Sequence, residues 1–368
     1  MKTLLITLEY PPQIGGIASH SLNLVAHLLA SEVVVYAPKI NGDVAHDGRH
    51  AWKVYRRKPY LPFFWPRWLR LYWQVRQIVK KEKIERLLIQ HALPAGYVGY
   101  LLKKFRRIPY VVFFHGTDLE VGLKKKLRKI SLVCRAAEKV VVSSEFLKNK
   151  LLAKLDDLKN VVVVHPCPGD LFFEQPPAEE ISRLRSQLAL AGKKVVITVG
   201  RIADGKGFPH IIRLLPKILK KVPNLVWLVV GAGPKMEEVA TMARKNNLQN
   251  VVRFLGQIEY EFLPAYYHLA DLFVLLSHRD ETSEEGWGTV FLEAAACGLP
   301  VVAGRVGGAE EAVENLVSGV LVDIYQEESV ISAIADLLRQ EEYAKKMGQA
   351  GAERARRDFR WEKQIGKI

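Results

Sequence analysis

Two glutamates with seven residues between them, Glu285 and Glu293, stand in the stretch S-E-E-G-W-G-T-V-F-L-E-A-A-A-C-G-L-P that runs from 283 to 300. Gly286 and Gly288 let the backbone bend and approach a ligand, and Thr289 to Ala296 reads as a helix whose first amides have no partner within the helix. Such amides suit a diphosphate. Glu285 lies in the loop ahead of this helix and Glu293 about one turn inside it, so the two carboxylates can meet different parts of one extended ligand and accept hydrogen bonds from sugar hydroxyls. Taken alone, a plain helix start with acids set favourably against its dipole would read the same way.

Three further sets of residues have types and spacing that suit the same ligand. The apolar run 194–199 leads into G-R-I-A-D-G-K-G, placing Arg201 and Lys206 at a strand's carboxyl end. Two cations there can neutralise a diphosphate leaving group as its charge develops, although a solvated basic loop is the simpler reading in so basic a chain. The run 3–8 continues as E-Y-P-P-Q-I-G-G-I-A-S-H, so Gly15 and Gly16 precede a helix and allow an anion, or a closing loop, to come near. His115 follows the run 110–114 directly and opens His115-Gly116-Thr117-Asp118; a lone histidine is more often structural than catalytic. Gly231-Ala232-Gly233-Pro234 lacks the third glycine of a dinucleotide fingerprint, which argues against hydride chemistry.

E-x7-E followed by A-C-G-L-P-V-V-A-G and then G-G-A-E-E resembles the donor site of the retaining glycosyltransferases of family 4, and the likeness extends over nearly the whole chain. In character it is similar to the phosphatidylinositol mannosyltransferase-like and the lipopolysaccharide or capsule glycosyltransferases of bacteria. The resemblance implies that Glu285 contacts the transferred sugar, Glu293 the ribose, and the backbone of Gly286, Gly288, Thr289, Val290 and Phe291 the diphosphate. It assigns Arg201 and Lys206 to clamping that diphosphate, and Gly15 and Gly16 to a loop near the donor phosphate and the acceptor. His115 is expected to touch the donor sugar, with Asp118 a weaker candidate for orienting the loop, and Gly256 and Ile258 to lie near the nucleobase. One departure is visible: many relatives have an Asn-Gly-x-Asp turn where this chain reads H-P-C-P-G-D at 165–170.

The elements that must carry these groups alternate along the chain. Strand-like runs at 3–8, 33–37, 86–90, 110–114, 140–143 and 161–164 are separated by amphipathic segments, the rhythm of a parallel sheet covered by helices. A second series follows at 194–199, 225–230, 251–254, 272–276 and 300–303. The expected fold is α/β, of the GT-B type, with two Rossmann-like domains and a cleft between them. Its boundaries read 1–168 for an acceptor domain, 169–190 for a linker, 191–354 for a nucleotide-sugar donor domain, and 355–368 for a helix returning to the first domain. That last helix spans 358–368 with Phe359, Trp361 and Ile365 on its apolar side.

Three cysteines, Cys134, Cys167 and Cys297, are too few and too scattered for a disulfide framework or a zinc site, and point to a reducing cytoplasm. No run approaches the roughly 18 uncharged residues that span a bilayer. A net charge of +15 calls for an anionic partner: a nucleotide diphosphate, an acidic lipid surface or nucleic acid. Trp68, Leu71, Tyr72, Val75, Ile78 and Val79 share a helical face, preceded by Phe63, Phe64 and Trp65 and accompanied by Lys103, Lys104, Arg106, Arg107 and the basic run 124–129. These suit the inner face of an anionic membrane, and also simple packing on the sheet. The resulting expectation is transfer of a hexose-type sugar from a UDP- or GDP-linked donor, with retention, to a hydroxyl acceptor that is lipid-linked or part of a cell-envelope glycan. Neither a cofactor nor a metal is expected, since no Asp-x-Asp motif stands at a strand end, and no nucleic acid partner is expected. A nucleotide-sugar epimerase of the same fold and a non-catalytic basic binding protein remain as rivals.

Overall fold

Every strand among the described residues runs parallel to its sheet neighbours, and almost every strand residue is Val, Ile, Leu or aromatic at the positions that pack. The computed structural model describes residues 1–60, 66, 68–280 and 284–368; Phe63, Phe64, Trp65 and Ser283 lie outside them. The chain divides into two compact units, Met1–Pro166 with Trp361–Ile368, and Cys167–Arg360.

The first unit contains, in order, β1 (Thr3–Ile6), α1 (Gly16–Ala26), β2 (Val33–Pro38), α2 (Asp43–Asp47), β3 (Lys53–Arg57), α3 (Trp68–Glu82), β4 (Arg86–Ile89), α4 (Ala95–Arg106), β5 (Tyr110–Phe114), α5 (Thr117–Lys125), α6 (Leu127–Ala136), β6 (Lys139–Val142), α7 (Glu145–Leu152) and β7 (Val161–Val163). Its seven-stranded sheet has the order β3-β2-β1-β4-β5-β6-β7. The strand β5 is buried at every position, which requires helices on both faces and explains an apolar run without alternation.

In the second unit follow α8 (Ala178–Gln187), β8 (Lys194–Val199), α9 (Phe208–Lys221), β9 (Leu225–Val230), α10 (Met236–Lys245), β10 (Val252–Gly256), α11 (Leu263–Leu269), β11 (Leu272–Leu275), α12 (Thr289–Ala296), β12 (Val301–Gly304), α13 (Ala309–Ala312), β13 (Gly319–Val322), α14 (Glu327–Arg339) and α15 (Glu341–Asp358). The chain ends with α16 (Trp361–Ile365). Six strands order as β10-β9-β8-β11-β12-β13. Here α9 shows why helices cover the sheet: Ile211, Ile212, Leu215 and Ile218 are buried while Arg213, Lys217 and Lys220 stay exposed, a stripe at helical spacing. Pro209 sits in its first turn, where a missing N–H costs nothing.

In each sheet the strand order reverses direction once, between β1 and β4 and between β8 and β11. Open parallel sheets bind ligands beyond the carboxyl ends of their strands at such points. Four of the loops singled out in the sequence leave a carboxyl end at or beside one of them: residues 7–15 after β1, 115–118 after β5, 200–207 after β8, and 276–280 with 284–288 after β11.

Three sequence expectations change in detail. The stretch 169–190 is not a bare linker: a 3-10 turn, Asp170–Phe173, buries Phe172 completely, and α8 packs against α11. The segment 358–368 is not one helix, because α15 runs to Asp358 and α16 starts anew at Trp361. Its apolar residues separate accordingly, Phe359 lying 5.5 Å from Trp287 in the second unit and Trp361 5.2 Å from His20 in the first, measured between ring centres. Finally, the apolar face of α3 is largely used in packing: Leu71, Val75, Ile78 and Val79 are buried, and the helix lies against α4. Trp73 and Phe105 remain exposed instead.

Candidate active site

Glu285 is a nearly buried carboxylate on the second unit, held by two side chains. Lys206 Nζ donates to its Oε2 at 2.6 Å, and Ser277 Oγ donates to the same oxygen at 2.9 Å. Only 9% of the Glu285 side chain is exposed. Burial by itself would raise its pKa; the Lys206 charge, the hydrogen bonds from Lys206 and Ser277 and the Trp287 backbone N–H outweigh this and hold it below the usual value. Glu285 is therefore an ionised carboxylate at neutral pH. Its carbonyl accepts the Gly308 N–H at 2.9 Å, tying the loop after β11 to the turn after β12.

From there the chain enters α12 through Gly288, whose φ of +82° is the left-handed region that a side chain disfavours. A Cβ at this position would also stand 2.4 Å from the Phe291 ring. Thr289 and Val290 present the first amides of the helix. The Phe291 N–H, expected among them, is instead taken by the Gly288 carbonyl at 3.0 Å. One turn on, Glu293 is buried and accepts the Tyr267 hydroxyl at 3.0 Å on Oε2. Burial pushes its pKa up to about 7, with the Tyr267 bond pulling the other way. The two acids of the motif are thus shifted in opposite directions.

Arg201 lies exposed on the loop after β8 and forms no ion pair among the described residues. The structure brings Lys206, not Arg201, to Glu285. The glycines at 231 and 233 serve close backbone approach rather than a dinucleotide: a Cβ on them would stand 2.0 Å from the Gly200 carbonyl oxygen and 2.2 Å from that of Ile202. Through these contacts the loops after β8, β9 and β10 are laced by main-chain bonds, Ile202 N–H to Ala232 O, Lys235 N–H to Ile202 O and Gly231 N–H to Gly256 O. Gly256 thereby closes β10, and Ile258 follows it half-buried. Beside Lys206 a hollow of about 290 Å³ opens between the loops after β8 and β11, lined by Asp204, Gly205, His210, Lys235, His278 and Asp280. None of the expected site residues lines it.

On the first unit histidines gather at the carboxyl edge. His115 Nε2 lies 2.9 Å from Gln90 Oε1, which places the ring proton on Nε2. Burial, then the nearby His20 and His91, holds its pKa well below the ordinary value, so the imidazole is uncharged. Asp118 accepts the backbone N–H groups of His115 at 2.8 Å and Leu119 at 2.9 Å, and so orients the loop. His20 packs edge-on to His115 at 4.9 Å, and His91 Nε2 is 3.6 Å from Glu9 Oε1. Gly15 caps α1 and lies over Glu9, with Gly16 opening the helix. Gln90, His91, Ser277 and Tyr267 were missed in the sequence, since none stands in a motif.

Two doubly wound parallel units, each with polar groups at the carboxyl edge, make an α/β protein of the GT-B class. Comparison with known proteins gives the family. A signature described as "Glycosyltransferase Family 4" matches residues 14–167 and one described as "Glycosyl transferases group 1" matches 180–354. The GDP-mannose-dependent alpha-(1-6)-phosphatidylinositol monomannoside mannosyltransferase of Mycolicibacterium smegmatis is 30% identical over 97% of this chain and 94% of its own. A GDP-mannose-dependent monoacylated alpha-(1-6)-phosphatidylinositol monomannoside mannosyltransferase of Corynebacterium glutamicum is 26% identical over 98% and 95%. In fold, the crystal structure of HepE from Anabaena in complex with UDP and glucose superposes with a TM-score of 0.86 at 22% identity, covering 100% of this chain and 98% of that one. The chain belongs to the glycosyltransferases of family 4.

Proposed function

We propose that this enzyme transfers mannose from GDP-mannose, with retention, to a hydroxyl of a lipid-linked acceptor. The observation that carries the reading is the Lys206–Glu285 pair at the head of α12. It sets an ammonium and an ionised carboxylate beside the free amides of Thr289 and Val290, the combination a sugar diphosphate needs: dipoles and a cation for the phosphates, an acceptor for sugar hydroxyls. The choice of GDP-mannose, and of a lipid acceptor, rests on the whole-length relatives named above.

In this reading Arg201, Lys206 and the α12 amides balance the charge on the departing diphosphate, Glu285 holds the sugar, Glu293 the ribose, and Gly256 and Ile258 border the base. Neutral His115 serves as a hydrogen-bonding group for the reaction. The C1–O bond to the diphosphate breaks and the bond from the acceptor oxygen to C1 forms on the same face, the acceptor proton passing to the leaving phosphoryl oxygen. No metal ion takes part in this scheme. Exposed Trp73 and Phe105, with Lys103, Lys104, Arg106 and Arg107, support contact with an anionic bilayer. Among the described residues no helix is long and apolar enough to cross a membrane.

Protection against thermal unfolding by a panel of nucleotide sugars tests the donor, GDP-mannose being expected to protect most. Transfer to phosphatidylinositol monomannoside in vesicles, with the anomer of the product read by NMR, tests the rest. Full loss of turnover on adding EDTA would overturn the metal-free scheme, and isomerisation of the donor without acceptor would overturn the transfer itself.

A further inference from the structure

The second glutamate of the motif is held by a residue outside it. The Tyr267 hydroxyl, on α11, donates to Glu293 Oε2 at 3.0 Å, both groups being buried. The tyrosine has little freedom: its ring meets Phe172 edge-on at 5.8 Å and Phe273 at 5.9 Å, and Phe172 in turn packs on Tyr260 at 5.1 Å. On the other side the Phe172 carbonyl accepts the Cys297 thiol at the end of α12. The hydroxyl therefore occupies a fixed point and takes one carboxylate oxygen, leaving Oε1 without a hydrogen bond among the described residues.

We propose that Tyr267 is a positioning residue that locks Glu293 with Oε1 presented to a ribose hydroxyl, and so sets the enzyme's preference for ribonucleotides over deoxyribonucleotides. This rests on the reading of Glu293 as the ribose contact. Fixing one oxygen by a rigid aromatic makes the other a directional hydrogen-bonding group, and a hydrogen bond inside a water-poor site is stronger than one at the surface. A donor lacking that hydroxyl leaves Oε1 unpaired, which is the costly outcome.

The test measures binding of GDP, UDP and their 2′-deoxy and 3′-deoxy forms by calorimetry. For one of the two bases the native enzyme is expected to favour the ribonucleotide by roughly 10- to 100-fold over at least one deoxy form. Tyr267→Phe, which keeps the packed ring, is expected to lower that ratio to about threefold or less while leaving affinity for the deoxy form nearly unchanged. Glu293→Ala abolishes the ratio and separates the outcomes. If Glu293→Ala loses discrimination but Tyr267→Phe keeps it, Tyr267 is only a core residue and the proposal fails while the site reading stands. If the native enzyme binds nucleotide without discrimination, Glu293 does not read the ribose and both fail. Loss of melting temperature in Tyr267→Phe without change in the ratio also counts against it.

Discussion

The carboxyl edges of the two sheets carry opposite electrostatics. On the second unit the charges are formal and paired, an ammonium at 2.6 Å from an ionised carboxylate. On the first unit the group at the end of β5 is a neutral imidazole, with His115 bonded to an uncharged amide and its pKa held down. A diphosphate needs compensating charge, whereas hydroxyls need only well-aimed neutral donors and acceptors. The contrast fits the proposed function, with leaving-group chemistry at the second edge and hydroxyl recognition at the first.

The sharpest way to break this contrast is to discharge the second edge. Glu285→Gln or Lys206→Ala is expected to lower turnover by roughly 10²- to 10³-fold, read as initial rates at saturating donor, because in the proposed function each removes a charge that acts on the donor. A change below about threefold would show that the pair is structural. A smaller loss should follow Gly231→Ala, whose Cβ would stand 2.0 Å from the Gly200 carbonyl. Such overpacking costs about 1–3 kcal/mol, measurable by denaturant unfolding, with donor affinity falling as the laced loops part.

Proton linkage sharpens the comparison further. Glu293 is protonated up to about pH 7 in the fold, against an ordinary value of 4.5, so the native state binds the extra proton between those values. Its share of the stability is complete below pH 4.5 and is lost as pH rises to about 7. Glu293→Gln should flatten that decline in melting temperature. The titratable groups around it are Tyr267 on α11, Tyr260 on the neighbouring 3-10 turn, Cys297 on its own helix and Arg356 on α15. His115 acts in the opposite sense: its lowered pKa means that the unfolded chain takes the proton first, so stability drops as pH falls through 6.5. The ionisable groups that face it are His20, His91 and Asp118, with Glu9 beside His91. His115→Asn should weaken the drop, by the smallest margin of the four; an unchanged acid limb would mean that another histidine carries it.

Much of the architecture was legible because unbroken runs such as Leu-Val-Trp-Leu-Val-Val admit few readings besides a strand covered on both faces. The motif Glu285-x7-Glu293 and the glycine at 288 were legible for a related reason, since a left-handed turn into a helix restricts residue choice. What stayed hidden depends on topology. Gln90 reaches His115 only because β4 and β5 are sheet neighbours, and nothing in either segment announces the pairing. Tyr267 reads as one more core aromatic in L-P-A-Y-Y-H-L, and Ser277 as a single hydroxyl after a strand. The packed face of α3 was legible as a helix, but its partner was not, because an apolar stripe does not say what covers it.

The main-chain lacing of the loops after β8, β9 and β10 has an evolutionary side. Since Ile202 holds Ala232 and Lys235, and Gly231 holds Gly256, through amides and carbonyls, the geometry of that platform is indifferent to most of the side chains it displays. With Gly256 and Ile258 bordering the base in the proposed function, donor preference can drift by exchange of side chains such as Gln257 and Ile258 while the scaffold beneath stays put. Directed change of sugar or base in this enzyme should begin at those positions and spare the glycines.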